Sequence, residues 1–134
     1  MRTPDIEAST ILSTRHNLAH WRGLAGDPSA AAEESARLLV DAERVLGPDH
    51  PDTLDTRRNL AHWRGLAGDP DAAVEGLDAV LADYVLGADH PDTMQVRENL
   101  VHWRPQELDA LLADRTRVLG ADHPHTVRTR RMRQ

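Results

Sequence analysis

Apolar residues recur along the chain at the spacing of amphipathic α-helices. In residues 51–67 the apolar stripe consists of Leu54, Leu60, Ala61, Trp63 and Ala67. A second stripe, in residues 70–86, consists of Ala73, Leu77, Val80, Leu81, Tyr84 and Val85. Both have the three- and four-residue spacing of a helix with one buried side. Gly68 and Gly87 follow the two stripes, and glycine readily adopts the left-handed conformation that ends a helix. The pattern predicts a helical hairpin.

This hairpin is repeated along the sequence. Residues 58–70 nearly repeat residues 16–28 at an offset of 42, and a third copy begins at Glu98 at an offset of 40. A second motif, Val-Leu-Gly-x-Asp-His-Pro-x-Thr, begins at Val45, Val85 and Val118. Periods of this length indicate stacked structural modules.

The second motif marks the start of a helix, because its proline suits the first helical position. Either the preceding aspartate (Asp49, Asp89 and Asp122) or the histidine after it can cap the free amides. Together the patterns predict seven helices, at roughly 4–25, 28–46, 51–67, 70–86, 91–103, 105–119 and 124–132.

The third copy is shortened, because Pro105 follows Arg104 without the Gly-Leu-Ala-Gly-Asp turn of the other copies. Proline has no amide hydrogen and disturbs the helix before it. We therefore expect one helix to stop near His102 or Trp103 and the next to begin at Pro105. The third hairpin should pack differently from the first two.

These repeats resemble the tetratricopeptide repeat, in the long form with an LG-x-DHP-x-T linker found in kinesin-light-chain-like bacterial repeats. The matching positions are Leu60, Ala61, Gly68, Asp69, Ala73 and Leu77. The resemblance implies an all-α fold, an α-solenoid of about three and a half antiparallel helix-turn-helix repeats in a single domain, 1–134. Repeat 1 covers about 4–46, repeat 2 about 47–86, the shortened repeat 3 about 87–119 and a C-terminal half-repeat or cap 120–134.

The resemblance also implies a non-catalytic protein–protein interaction module, an adaptor or scaffold that binds a peptide or partner protein in a concave groove. The family positions that line such a groove are Ser13, His16, His20, Leu24, Asp55, Arg58, His62, Leu66, Gln95, Glu98 and His102. This mixed surface favours a segment with acidic and apolar side chains. Two alternatives stay open. The chain could be a sensor or regulatory fragment of a larger signalling NTPase-type regulator, or a structural repeat protein that self-associates through the ends of the solenoid.

The sequence departs from the family pattern at arginines that stand seven residues apart, and therefore on one side of each first helix. They are Arg15 and Arg22, Arg57 and Arg64, and Arg97 and Arg104. We expect each pair to be half-buried against acidic residues such as Asp41, Glu43, Asp83 or Asp114, because an unpaired buried guanidinium is costly. Trp21, Trp63 and Trp103 are expected to be structural and to pack in the core.

The amino-acid composition excludes or disfavours several classes of function. Cysteine is absent, the formal net charge is -6, and all 16 basic side chains are arginine, a bias typical of a bacterial GC-rich genome. Disulfides are excluded, nucleic-acid binding is disfavoured, and no apolar run is long enough for a membrane span. We expect a cytoplasmic protein.

No enzymatic or metal chemistry is indicated by the motifs. His16 and His20 have a zinc-binding spacing, but the equivalent pairs begin with Arg58 and Glu98, so the repeats encode no metal site. The sequence has neither a nucleophile elbow nor a phosphate-binding glycine loop. We therefore expect no cofactor and no catalysis.

Overall fold

The computed structural model describes residues 3–84, 87 and 89–133, with the backbone alone for residues 3–7 and 9. These residues form seven α-helices and no strand. The helices are α1 (Thr3–Leu24), α2 (Pro28–Leu46), α3 (Pro51–Leu66), α4 (Pro70–Asp83), α5 (Pro91–Val101), α6 (Leu108–Leu119) and α7 (Pro124–Arg131). The all-α prediction is confirmed. The predicted last residues of the fourth helix, 85 and 86, lie outside the described residues.

Three of the helices begin at a histidine cap. His50, His90 and His123 precede α3, α5 and α7. In each case the ring Nδ1 accepts a hydrogen bond of 3.1 Å from the backbone N–H two residues later. Of the two residues that the sequence offered as caps, the histidine therefore makes the bond. An acceptor at Nδ1 places the ring proton on Nε2.

The second helices of the first two hairpins begin differently. The carboxylate of Asp27 accepts a 3.0 Å bond from the Ala30 amide at the start of α2. Asp69 accepts a 3.1 Å bond from the Ala72 amide at the start of α4. Aspartate is a favoured residue at this position because it satisfies an amide that has no partner inside the helix.

The chain divides into two compact units, Met1–Val80 and Leu81–Gln134, and each is described by itself. In the first unit α2 packs against both α1 and α3. Its inward side is lined by Ala31, Ser35, Leu38 and Ala42. In the second unit a core of Met94, Val101 and Leu111, with Leu108 against it, joins α5 to α6. That the chain is a single domain stays a prediction.

Trp63 links α3 to α1 in the first unit. Its side chain is only 5% exposed, and a Cβ atom placed on Gly23 would lie 2.2 Å from the indole Cη2. Glycine is therefore required at residue 23 by the close approach of the ring. Trp103, in the second unit, is half-buried and lies edge-to-face with the His102 ring at a centroid distance of 4.6 Å.

Trp21 occupies in repeat 1 the position that Trp63 occupies in repeat 2, but its side chain is 66% exposed. The prediction that Trp21 packs in the core is wrong. The two tryptophans differ in exposure because their neighbours differ. Trp63 packs against Gly23 of α1, whereas no described helix covers Trp21 in this way.

The shortened connection in the second unit replaces a full turn by a short 3-10 helix. Helix α5 ends at Val101, the 3-10 helix covers Pro105–Glu107, and α6 begins at Leu108. The sequence correctly placed the break at Pro105 but wrongly predicted an α-helix from that residue. A different packing of this hairpin stays a prediction.

We expect Gly23→Ala to lower the free energy of unfolding by about 1–3 kcal/mol, because the new methyl group would overlap the Trp63 ring. Chemical denaturation followed by circular dichroism would measure the change. Leu24→Ala is the control, since exposed substitutions alter stability by about 0.5 kcal/mol or less. Equal stabilities of the two variants would contradict the packing of Trp63 on residue 23.

Candidate ligand-binding cavity

A cavity of about 300 Å³ lies between α1, α2 and α3 in the first unit. Its apolar lining consists of Leu12, Leu38, Ala42 and Leu46. Its polar lining consists of Ser13, His16, Asn17, Asp52, Asp55 and Thr56. Apolar walls with a few polar groups are typical of ligand sites, and this volume is at their lower end.

His16 enters the cavity as a neutral ring. Burial, together with nearby Arg58 and His20, holds the pKa of His16 below its usual value, against the opposing effect of Asp55 and Asp52. The side-chain amide of Asn59, on α3, lies 3.2 Å from Nε2 of His16 and can donate to it when the ring proton is on Nδ1. This contact ties α1 to α3 beside the cavity.

Helix α3 gives the cavity its negative charge. Asp52 and Asp55 stand on its first turns, and Arg58 lies 3.9 Å from Asp55 and offsets part of that charge. The hydroxyl of Thr56 donates a 3.0 Å bond to the backbone carbonyl of Asp52. Two carboxylates and a hydroxyl oxygen thus border a space that neutral His16 closes from the side of α1.

The cavity contains some of the predicted groove residues and excludes others. Ser13, His16 and Asp55 line it. The rings of His20 and His62 instead lie beside Trp63, at centroid distances of 6.2 and 5.2 Å. Leu24 and Leu66 are exposed near the ends of α1 and α3.

The sequence did not predict the contribution of α2. Leu38, Ala42 and Leu46 line the cavity but belong to a second helix, whereas the family resemblance directs attention to first helices. The available signal in the sequence was their four-residue spacing, which places them on one side of α2.

In the second unit, Glu98 is the centre of an ion cluster instead of an open ligand contact. Its carboxylate accepts bonds from Arg115 at 2.8 Å, from Arg128 at 3.0 and 3.2 Å, and from Gln95 at 3.0 Å. The Glu98 side chain is 14% exposed and that of Arg115 is 1% exposed. Both side chains therefore make contacts within the fold, and the groove role of Glu98 and Gln95 stays a prediction. The third predicted residue of this unit, His102, is exposed.

The charge state of Glu98 follows from this cluster. Burial alone would raise the pKa of Glu98, but hydrogen bonds and positive charge from Arg128 and Arg115 outweigh it and hold the pKa below 4.5, its ordinary value. The carboxylate is therefore ionised at neutral pH and neutralises the buried guanidinium of Arg115.

The expected arginine–acid pairs are present in part. Arg15 pairs with Asp41, and Arg97 donates to Asp114 at 2.7 Å. The second arginine of each of these repeats also contacts an acidic residue. Arg22 contacts Glu34, and Arg104 lies 3.5 Å from Glu107. These contacts confirm the pairing for repeats 1 and 3.

The prediction of half-burial is wrong for Arg22, whose side chain is 46% exposed, and for Arg64, which is also exposed. Repeat 2 differs from repeat 1 because it lacks the acid that pairs with Arg22. The position equivalent to Glu34, the partner of Arg22, is Gly76. A side chain at residue 76 would lie 2.7 Å from the Cβ atom of Ala61, so this repeat has no room for the acid. Arg57, the other arginine of this repeat, is half-buried.

The described part of the chain contains no group of three or more histidine, aspartate or glutamate side chains placed to hold a metal ion. None of its helices has the length and apolar character needed to cross a bilayer.

Comparison with known proteins identifies the family. Residues 10–84, more than half of the chain, match the tetratricopeptide repeat family. The chain is a tetratricopeptide-repeat protein. No curated protein matches the tetratricopeptide chain.

Two solved structures have the same fold as this tetratricopeptide-repeat protein. Both are of a Podosopora anserina protein described as a kinesin light chain with nearly identical TPR-like repeats, one of them a single-residue variant. The TM-scores are 0.76 and, for the variant, 0.75, at 22% sequence identity. The alignments cover 98% of this chain and 65% of the other, so this chain spans 65% of the length of the proteins it matches.

For this tetratricopeptide-repeat protein we expect Glu98→Gln to lower the free energy of unfolding at pH 7 by about 3 kcal/mol, because it leaves the Arg115 guanidinium without a counterion. Glu33→Gln, at an exposed position, is the matched control. Because the folded pKa of Glu98 is lowered, its contribution is complete above its ordinary value and is lost as the pH falls through the folded value.

The stability difference between the native chain and Glu98→Gln should therefore narrow as the pH is lowered below 4.5. Urea denaturation at a series of pH values measures this difference. A difference that is absent at pH 7, or that stays constant into the acid range, would contradict the role of the ionised carboxylate.

Proposed function

We propose that this chain is a protein-interaction module, an adaptor or scaffold, which binds a peptide segment of a partner at the cavity between α1, α2 and α3. The observation that carries the proposal is the combination of a 300 Å³ space, leucine walls and polar groups from three helices. Membership of the tetratricopeptide repeat family supports protein binding in general. The same role would serve a sensor segment of a larger signalling regulator.

Segments on either side of the bound residue would meet a different surface. Arg58 on α3 offers positive charge and hydrogen-bond donors to acidic side chains, and His62 stands one helical turn further along the same helix. Leu24 and Leu66 are exposed and offer apolar contacts. The partner proposed is therefore a protein segment of mixed character, and the carboxylates of Asp52 and Asp55 disfavour the phosphates of a nucleic acid.

The proposed role is non-catalytic. A general base must lie within hydrogen-bond reach of the group that it deprotonates. The described partner of the His16 ring nitrogen is the Asn59 amide, which is a structural contact and activates no nucleophile. We further propose that the chain acts in the cytoplasm.

Selection of random peptides displayed on phage would test the binding role. Ser13→Trp places a bulky ring at the exposed edge of the cavity, and Ser29→Trp places the same ring at an exposed position on α2 away from it. Peptides selected on the native chain should lose about tenfold or more in affinity for Ser13→Trp, since the ring excludes the ligand. They should bind Ser29→Trp unchanged. Failure to select any peptide, or equal binding by both variants, would contradict the proposal.

Self-association is a second candidate, favoured by the exposed side of α1. Ile11, Leu18 and Trp21 are all exposed, and their spacing of seven and three residues places them on one side of the helix. Grouped exposed apolar side chains are typical of contact surfaces. In the first unit the equivalent Trp63 is covered by a neighbouring helix.

Sedimentation velocity over a series of protein concentrations would test this second candidate. We expect association that Trp21→Ser reduces, because the indole supplies much of the apolar area. Val40→Ser, at an exposed position on α2, should leave association unchanged. A monomer at every concentration would rule out self-association through α1.

A further inference from the structure

The two units contain the same three-helix site, and two hydrogen bonds fix the correspondence. Thr53 donates to the backbone carbonyl of Ala42 at 3.4 Å, and Thr126 donates to the carbonyl of Arg115 at 3.3 Å. Both acceptors lie 11 residues before the threonine. Ala42 on α2 is therefore the structural counterpart of Arg115 on α6.

A second pair of threonines agrees with this alignment. Thr56 donates to the carbonyl of Asp52 at 3.0 Å, and Thr129 donates to the carbonyl of His125 at 2.8 Å. On the first helices, the repeat alignment makes His16 the counterpart of Glu98. Three residues that line the cavity of the first unit, His16, Ala42 and Thr56, thus have equivalents in the second.

In the second unit this site is filled by an arginine of the chain itself. The Arg115 guanidinium donates to Glu98 at 2.8 Å and to the hydroxyl oxygen of Thr129 at 2.7 Å. Its side chain is 1% exposed. In the first unit the corresponding residue is Ala42, and the space beside it is the cavity of about 300 Å³.

We propose that the cavity of the first unit binds the guanidinium of an arginine side chain supplied by a partner protein. This inference rests on the proposed interaction function and specifies its ligand. The second unit provides the precedent, since the same arrangement of helices there surrounds an arginine.

The charges of the first unit are consistent with this ligand. The second unit has cationic Arg128 at the position of Asp55, and the first unit has no cation at the position of Arg115. The carboxylates of Asp52 and Asp55 border the cavity, and Arg58 lies 3.9 Å from Asp55. A partner arginine would add a second cation beside these two carboxylates, and its planar guanidinium is well suited to pairing with them.

The hydrogen-bond acceptors are also in place. Thr129 donates its hydrogen to a carbonyl and accepts from Arg115 with its oxygen. The hydroxyl of Thr56 makes the same donation, which leaves its oxygen to accept from a ligand. Leu12, Leu38 and Leu46 would pack against the methylene groups of the arginine stem.

The test uses N-acetyl-arginine methylamide as the probe and monitors the full chain by NMR. The uncharged citrulline analogue and the lysine analogue serve as comparison compounds. We expect saturable shifts at His16 and Thr56, with the arginine probe bound about tenfold or more tightly than either analogue. Shifts that do not saturate, or equal binding of the three compounds, would overturn the proposal.

Two variants locate the binding. Asp55→Asn keeps the volume of the cavity and should weaken the arginine probe severalfold, whereas Asp71→Asn, at an exposed position on α4, should not. Ala42→Arg should place a guanidinium of the chain in the cavity and abolish probe binding, whereas Ala110→Arg, at an exposed position on α6, adds the same charge and should retain it. Unchanged binding by Asp55→Asn, or by a folded Ala42→Arg, would also overturn the proposal.

A rescue experiment tests the correspondence between the units. His16→Glu combined with Ala42→Arg recreates the Glu98 and Arg115 pair, so we expect the double variant to melt at a higher temperature than Ala42→Arg alone. If Ala42→Arg does not fold, Asp55→Asn alone decides the assignment. A double variant that melts below the single variant would contradict the equivalence of the two sites.

The outcomes separate this inference from the proposed function. Selected peptides that depend on the cavity but contain no arginine, with no binding of the arginine probe, would leave the interaction role intact and reject the arginine site. Saturable binding of the arginine probe without any selectable peptide would support the site and reject the interaction role.

Discussion

The first unit depends on the contact between the Trp63 ring and the backbone of α1 at Gly23. A large ring can lie this close to a helix only where the helix lacks a side chain. This contact and the His16–Asn59 contact together tie α3 to α1. The cavity, which is bordered by both helices and closed by α2, therefore depends on a residue pair that does not line it.

Buried charge distinguishes the second unit from the first. Glu98, on α5, accepts bonds from α6 and α7, so one carboxylate joins three helices. Such a cluster is costly to dehydrate, and its stability requires that every member be present. The first unit has instead a neutral histidine and an alanine at the corresponding positions, together with open space. The same helical framework thus supports a closed ionic core in one unit and a cavity in the other.

The helices could be predicted from the sequence because several copies of one pattern agree on where each begins and ends. The burial and the partners of individual side chains could not be predicted in this way. Residues 17–28 and 59–70 are identical, yet Trp21 is exposed and Trp63 is buried, because Trp63 packs on Gly23 of α1 and no described helix covers Trp21 in the same way. The acid that pairs with Arg22 has no counterpart for Arg64, because Gly76 occupies that position on α4. Glu98 was predicted to line a ligand surface because its partners lie 17 and 30 residues away in the sequence.

The histidine cap has a consequence for the last helix. An imidazole cap that accepts through Nδ1 brings no negative charge to the positive end of the helix dipole. In α3 and α5 an aspartate in the first turn provides it, whereas α7 has no acidic residue there. At eight residues α7 is also too short to be stable alone. Its helical conformation is therefore imposed by Thr126, Arg128 and Thr129, whose bonds to α5 and α6 hold it in place.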